Sequence, residues 1–268
     1  MSQRPIGFFD SGVGGLTVLK AALAKFPNEN TIYIADEKHL PYGPRPAAEV
    51  KSFAWQITSF LLDKDIKMLI VACNTATAAA LTDLQAKLAI PVIGVIIPGA
   101  QAAQRITKNS KIGVIATEGT IKSNAYQDAL QDIDGESNII NLAEPDFVTL
   151  VEEGRYQDPT IKPIIAEKLQ PIVAAKIDTL IMGCTHFPLL RPLIQEVVGN
   201  QVTLVDPGIE EVRIADTLLD YYQLRNYSKK TAQHLFYTTG TTTHFDKIAQ
   251  QWLRQPQLHS QHLNLGSD

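Results

Sequence analysis

Two stretches of the chain decide how it folds: Asp65-Ile66-Lys67-Met68-Leu69-Ile70-Val71-Ala72-Cys73-Asn74-Thr75 and Lys176-Ile177-Asp178-Thr179-Leu180-Ile181-Met182-Gly183-Cys184-Thr185-His186. Each holds a short apolar run that ends in a small residue, a cysteine and then polar hydrogen-bonding types. A strand buried on both faces of a parallel sheet reads this way, with its last residues leading into a helix. The two stretches align residue for residue, and the likeness extends on either side. Ile6-Gly7-Phe8-Phe9 matches Ile112-Gly113-Val114-Ile115, each followed by a Gly-bearing turn, and Ile90-Pro91-Val92-Ile93-Gly94-Val95 stands opposite Gln201-Val202-Thr203-Leu204-Val205-Asp206.

The same rhythm runs through the rest. Candidate strands are Ile6–Phe9, Thr31–Ala35, Met68–Ala72, Val92–Ile96, Lys111–Ile115, Ile139–Leu142, Thr179–Met182 and Val202–Val205, with amphipathic helical stretches between most of them. The expected class is α/β: two similar, pseudo-symmetric lobes with mainly parallel sheets and an active site in the crevice between them. The first lobe is expected over 1–97 plus 208–268 and the second over 98–207. The closing segment of 61 residues is too small to stand alone and is expected to pack back on the first lobe. Its polar end, Gln255–Asp268, is expected to fray.

At 268 residues, 45% hydrophobic and 19% charged, the composition excludes disorder, collagen and coiled coil. The 24 basic and 28 acidic side chains leave a net charge of −4 with no long run of one sign, so nothing marks a nucleic acid or an anionic membrane as partner. A small molecule is expected instead, and a homodimer is left open. The apolar stretch Ala89–Ala103 is short and broken by Pro91 and Pro98, so no membrane span is expected. Only Ile6–Phe9 precedes Asp10, too little for a secretory h-region of about 7–15 residues, and a cytoplasmic location is the default.

The chain has two cysteines, Cys73 and Cys184, 111 residues apart, which is neither a disulfide framework nor a CxxC motif. A lone cysteine is often only a small core hydrophobe. Here both fall at equivalent strand ends, and in open α/β sheets ligands bind beyond the carboxyl ends of the strands. Asn74, Thr75, Thr185 and His186 then serve as helix caps or as part of an anion site with exposed backbone N–H groups. The loop Asp10-Ser11-Gly12-Val13-Gly14-Gly15 either brings backbone to a ligand or packs helix tightly on strand. It is not a nucleotide fingerprint, because Thr17 replaces the last glycine of GxGxxG and no GK[ST] follows. Asp10 projects from a strand end into the same crevice. Asp36 does so from the second strand, where capping and solvation are equally open readings.

Pro41-Tyr42-Gly43-Pro44 reads as a rigid turn, and Glu152 with Glu153, by pattern alone, as a solvated helix face. His39, His234, His244, His259 and His262 show no ligand spacing with either cysteine, so no metal is expected. A thiol on each side of a pseudo-symmetric crevice suits removal of a proton from one face of a carbon and delivery to the other, as in two-base racemisation or epimerisation. Asp10 and His186 flank the two sulfurs and would hold or exchange their protons.

Taken together, Phe9-Asp10-Ser11-Gly12-Val13-Gly14-Gly15-Leu16-Thr17-Val18, Pro41-Tyr42-Gly43, Ala72-Cys73-Asn74-Thr75-Ala76, Gly183-Cys184-Thr185-His186-Phe187-Pro188-Leu189 and Phe236-Tyr237-Thr238-Thr239-Gly240 resemble the glutamate racemases of the aspartate/glutamate racemase superfamily. The resemblance spans nearly the whole chain. It implies a cofactor-independent enzyme that interconverts L- and D-glutamate and supplies D-glutamate to peptidoglycan synthesis. It further implies Cys73 and Cys184 as catalytic acid and base, assisted by Asp10 and His186, with Asp36 and Glu152 as lesser candidates. Substrate contacts are implied at Asp10, Ser11, Tyr42, Gly43, Asn74, Thr75, Thr185 and His186. The chain departs from the family pattern at Glu37-Lys38-His39, where Arg is usual before Pro-Tyr-Gly, at Glu144-Pro145-Asp146, where Cys-Pro is usual, and at Pro207. Two alternatives stay open: a racemase of aspartate or a related acidic substrate, and a non-catalytic glutamate-binding module.

Overall fold

The computed structural model describes residues 2–228 and 230–266. Ten strands are present among them. In the first sheet lie β1 (Ile6–Asp10), β2 (Thr31–Ala35), β3 (Met68–Val71) and β4 (Val92–Gly94). The second sheet holds β5 (Lys111–Ala116), β6 (Asn138–Ala143), β7 (Thr179–Gly183) and β8 (Thr203–Val205). Late in the chain β9 (His234–Thr238) and β10 (Gln261–His262) return to the first. The orders are β10-β9-β2-β1-β3-β4 and β6-β5-β7-β8, and every pairing is parallel.

The inner order β2-β1-β3-β4 is repeated as β6-β5-β7-β8, which is the repeat legible in the sequence. Register repeats too: Phe9 stands against Val71 in the first sheet and Ile115 against Met182 in the second. Strands covered on both faces alternate their side chains between two cores. Ile6 and Phe8 of β1 enter one core with helices Leu16–Lys25, Pro207–Tyr221 and Thr242–Leu253. Phe9 enters the other, with helices Ala47–Asp63 and Asn74–Lys87. The second sheet divides likewise, Ile112 and Val114 facing helices Ile96–Ile106 and Ala125–Ile133, and Ile115 facing helices Pro145–Glu152 and Arg191–Val198. The helix Pro207–Tyr221 packs against both Leu16–Lys25 and Ile96–Ile106, and so lies at the seam between lobes.

The expectation of a frayed end is corrected over 255–266. Leu258 and Leu263 are buried in the two cores on either side of the first sheet, Leu265 packs into the core of Leu263, and Gln261–His262 pair in parallel with Tyr237–Thr238. Two or three leucines spaced along a polar segment suffice to dock it once β9 offers a free edge. Ser267 and Asp268, at the end of that expectation, lie outside the described residues.

Candidate active site

The carboxyl ends of β1, β3, β5 and β7 meet at one crevice, lined by both thiols together with Ser11, Tyr42, Thr75, Thr117 and Thr185. Cys73 follows β3 and is the N-cap of the helix Asn74–Lys87; the Ala76 N–H donates to its Sγ at 3.4 Å. Its thiol faces the Ser11 hydroxyl at 3.8 Å. Burial, reinforced by the nearby Asp10 carboxylate, pushes the Cys73 thiol far above its usual range. A helix N-terminus works against that push, because the Ala76 N–H is aimed at the sulfur that must carry charge as a base.

Cys184 follows β7. Its Sγ lies 3.7 Å from His186 Nδ1, and His186 Nε2 lies 2.6 Å from Glu152 Oε1. Burial alone would lower the pKa of His186, but Cys184 and Glu152 together raise it well above the usual histidine value. An imidazolium therefore donates from both nitrogens, one to the sulfur and one to the carboxylate. Glu152 comes from the last turn of the helix Pro145–Glu152, whose Val148 and Thr149 form part of the crevice wall. Its neighbour Glu153 is exposed to solvent, so the pair splits between one carboxylate that meets His186 and one that is solvated.

Asp10 is fully buried at the end of β1. It accepts from Gly12 N–H at 3.3 Å, Gly15 N–H at 2.9 Å and the Thr185 hydroxyl at 3.4 Å. Burial raises its pKa, while His186, Gly15, Gly12 and Thr185 oppose the rise. Asp10 thus bonds across the lobes to Thr185 and acts on Cys73 through space. Gly14 makes the approach of the lobes possible, since a Cβ there would sit 2.4 Å from Thr185 Oγ1 and 2.6 Å from His186 Nδ1.

Asp36 is buried beside the crevice and takes four bonds: the Tyr42 hydroxyl at 2.5 Å, the Thr239 hydroxyl at 2.8 Å, and His39 Nδ1 at 2.9 Å on each oxygen. It therefore fixes Tyr42, and with it the Pro41–Gly43 turn that walls the crevice, from behind. Asn74 accepts from the Tyr126 hydroxyl at 2.7 Å, and Thr75 meets Thr117 at 2.8 Å, both across the seam.

Thr117, Thr120, Tyr126 and Thr149 were not singled out from the sequence. The repeat carried a signal for Thr117: by strand register it stands after β5 where Ser11 stands after β1. The same correspondence sets Ala116 against Asp10, so the carboxylate has no counterpart in the second lobe. Among the described residues no lysine or arginine lines the crevice, and no group of three His, Cys, Asp or Glu converges as a metal site. The donors available to an anionic ligand are hydroxyls, amides, backbone N–H groups and the His186 imidazolium.

Known proteins resemble this chain closely. The family model described as Asp/Glu/Hydantoin racemase matches residues 16–215. A glutamate racemase of a Carnobacterium species is 51% identical over 268 residues, covering 99% of this chain and 100% of that one. The glutamate racemase of Lactiplantibacillus plantarum is also 51% identical, over 100% of this chain and 98% of the relative. Among solved structures, a glutamate racemase isoform from Bacillus anthracis superposes with TM-score 0.94 at 41% identity, covering 99% of both chains. The Francisella tularensis glutamate racemase in complex with D-glutamate gives 0.92 at 33% identity, again over 99% of both.

Proposed function

Because the chain belongs to the Asp/Glu/hydantoin racemase family, we propose that it interconverts L- and D-glutamate through its two thiols. It is a racemase, and the glutamate racemases among its relatives are similar over their full length. The observation that carries the mechanism is the placing of Cys73 and Cys184 at equivalent strand ends on one crevice.

One sulfur, as thiolate, removes the Cα proton, and the C–H electron pair passes into the adjacent carboxylate system. The opposite thiol then gives its S–H proton to the other face of the now planar carbon. Configuration is inverted, and the two sulfurs have exchanged protonation states. Proton transfer between thiols and carbon requires no electron sink beyond the substrate carboxylate and the donors around it, so the reaction is read as cofactor-independent. Hydroxyls of Ser11, Thr75, Thr117 and Thr185, the Asn74 amide and backbone at Tyr42-Gly43 supply those donors, aimed where charge develops. Asp10 and His186 hold the charge balance of each side, Glu152 supports His186, and Asp36 supports Tyr42. Two free cysteines suit a reducing, cytoplasmic setting, and D-glutamate made there would serve peptidoglycan synthesis.

Incubation of the reduced protein with either enantiomer in deuterated water tests the reading. The Cα hydrogen should exchange, and optical activity should decay from both sides; Cys73→Ser and Cys184→Ser should each abolish net inversion. Stoichiometric glutamate binding without exchange would overturn catalysis. Faster exchange of aspartate than of glutamate would move the substrate assignment.

A further inference from the structure

Glu211, in the helix Pro207–Tyr221, is fully buried, and among the described residues neither carboxylate oxygen has a hydrogen-bond partner. An ionised carboxylate buried without donors is strongly unfavourable, whereas the same group carrying its proton is tolerated. The surroundings offer it no cation. Arg105 and Arg213 both bind Glu210, the preceding residue. The helix Leu16–Lys25, packed on one side, brings only exposed Lys20 and Lys25, the latter paired with Asp216. From Ile96–Ile106, on the other side, the only charge is Arg105, and neither β4 nor β7 carries a titratable side chain.

The groups whose fields reach Glu211 are of the wrong sign or neutral: the Asp10 carboxylate from β1 and the Tyr126 phenol from Ala125–Ile133. Asp206, at the start of the helix itself, is capped by its own backbone at Gly208 and Ile209. Asp10, in contrast, has two backbone N–H groups, the Thr185 hydroxyl and the charge of His186. Of two buried carboxyls at the lobe seam, one has all the donors and the other has none.

We propose that Glu211 is a positioning residue, carried as a neutral carboxylic acid at the lobe seam, whose retained proton spares Asp10 a second buried negative charge within its electrostatic reach. The inference rests on the proposed role of the crevice, but its physical content does not require turnover. Loss of the Glu211 proton would add a second buried negative charge whose field reaches Asp10, with no cation of its own to balance it. Asp10 would then take up a proton, and its bond to Thr185 across the seam would change with it. Burial, with Asp10 adding to it, raises the Glu211 carboxyl well above the ordinary range, in the same direction.

Comparison of the wild type with Glu211→Gln tests this. A group whose folded pKa is raised contributes stability that is lost as pH climbs from the unfolded toward the folded value. The unfolding constant of the wild type relative to Glu211→Gln should therefore rise up to tenfold per pH unit above the ordinary carboxylate range. A ratio that stays flat with pH overturns the proposal. In protein labelled with 13C at glutamate carboxyls, one signal should remain at the shift of a protonated acid above the titration of Glu144, which burial pushes up to about 7. That signal should be absent from Glu211→Gln. A wild type with no such signal overturns the proposal as well. Should Glu211→Gln not fold, Glu211→Leu supplies the same assignment and the same comparison. In kcat/KM, the alkaline side of the Glu211→Gln pH profile should lose one ionisation; superimposable profiles would refute the positioning role. Absence of racemisation in every form would defeat the functional reading and leave the spectroscopic and stability results standing.

Discussion

Cys184 has an imidazolium beside it, and Cys73 has a helix N-terminus and a serine, so the two sulfurs share a backbone position and differ in chemistry. Glu152 is what keeps the second arrangement charged. In Glu152→Gln, His186 loses an anionic acceptor and should titrate at lower pH, read directly by 15N NMR of the ring. The stabilisation gained from the raised His186 pKa is present below the usual histidine value and fades as pH rises through the raised one. In the variant it should therefore fade at lower pH. Loss of one acid–base partner should lower kcat/KM by roughly tenfold or more. The enantiomers are equal in free energy, so that loss must be the same in both directions; unequal losses would mean that the measured step is not racemisation. The residue pattern could not separate Glu152 from Glu153, and only the family resemblance pointed to Glu152, because adjacent acidic residues on an amphipathic helix look alike until a buried histidine selects one. Cys73 and Cys184 stood out because each is a chemically distinctive type at a repeated strand end.

Equivalent strands need not be followed by equivalent helices. After Cys73 the helix Asn74–Lys87 begins at once, whereas after Cys184 a short 3-10 turn, Phe187–Leu190, precedes the helix Arg191–Val198. That difference turns His186 back toward its own sulfur while Thr75 reaches across to Thr117. The glycine-rich start of the helix Leu16–Lys25 is set by the same closeness, and Gly14→Ala isolates it. The added methyl would meet side chains of the opposite lobe and not its own core. The melting temperature should change little, while kcat/KM should fall on the order of 100-fold, as expected when reacting groups are misplaced by about 1 Å. An active Gly14→Ala enzyme would show that the lobes tolerate a wider crevice than the structure has. At this scale the eight strands of the repeat were legible because each is an apolar run. The strands β9 and β10 were not, because their apolar signal is short: β9 is buried only over Phe236–Thr238, and β10 is an exposed two-residue edge strand.

For the whole molecule, the order of one sheet is copied in the other, and the closing segment after the second repeat is what makes the copies unequal. That segment crosses the seam as the helix Pro207–Tyr221 and then rejoins the first sheet through β9. The sequence predicts that it packs on the first lobe but not which contacts hold it there, because one of them is a buried ion pair between residues far apart in sequence. Lys67 Nζ donates to Glu29 and to the carbonyls of Ser2 and Leu224, and Glu29 accepts from the Asn226 N–H. Both side chains are inaccessible to solvent. The pair sits at the amino end of β3, opposite the crevice, so it bears on stability and not on the thiols. Lys67→Met leaves Glu29 buried and unpaired, which should cost about 3–5 kcal/mol. The melting temperature should fall by on the order of 10 °C, while kcat at low temperature stays as in the wild type. Because replacing both charges removes the orphan, Lys67→Met with Glu29→Leu should recover most of the loss. A double variant no more stable than the single one would mean that the segment is held by its apolar contacts on the first sheet and not by this pair.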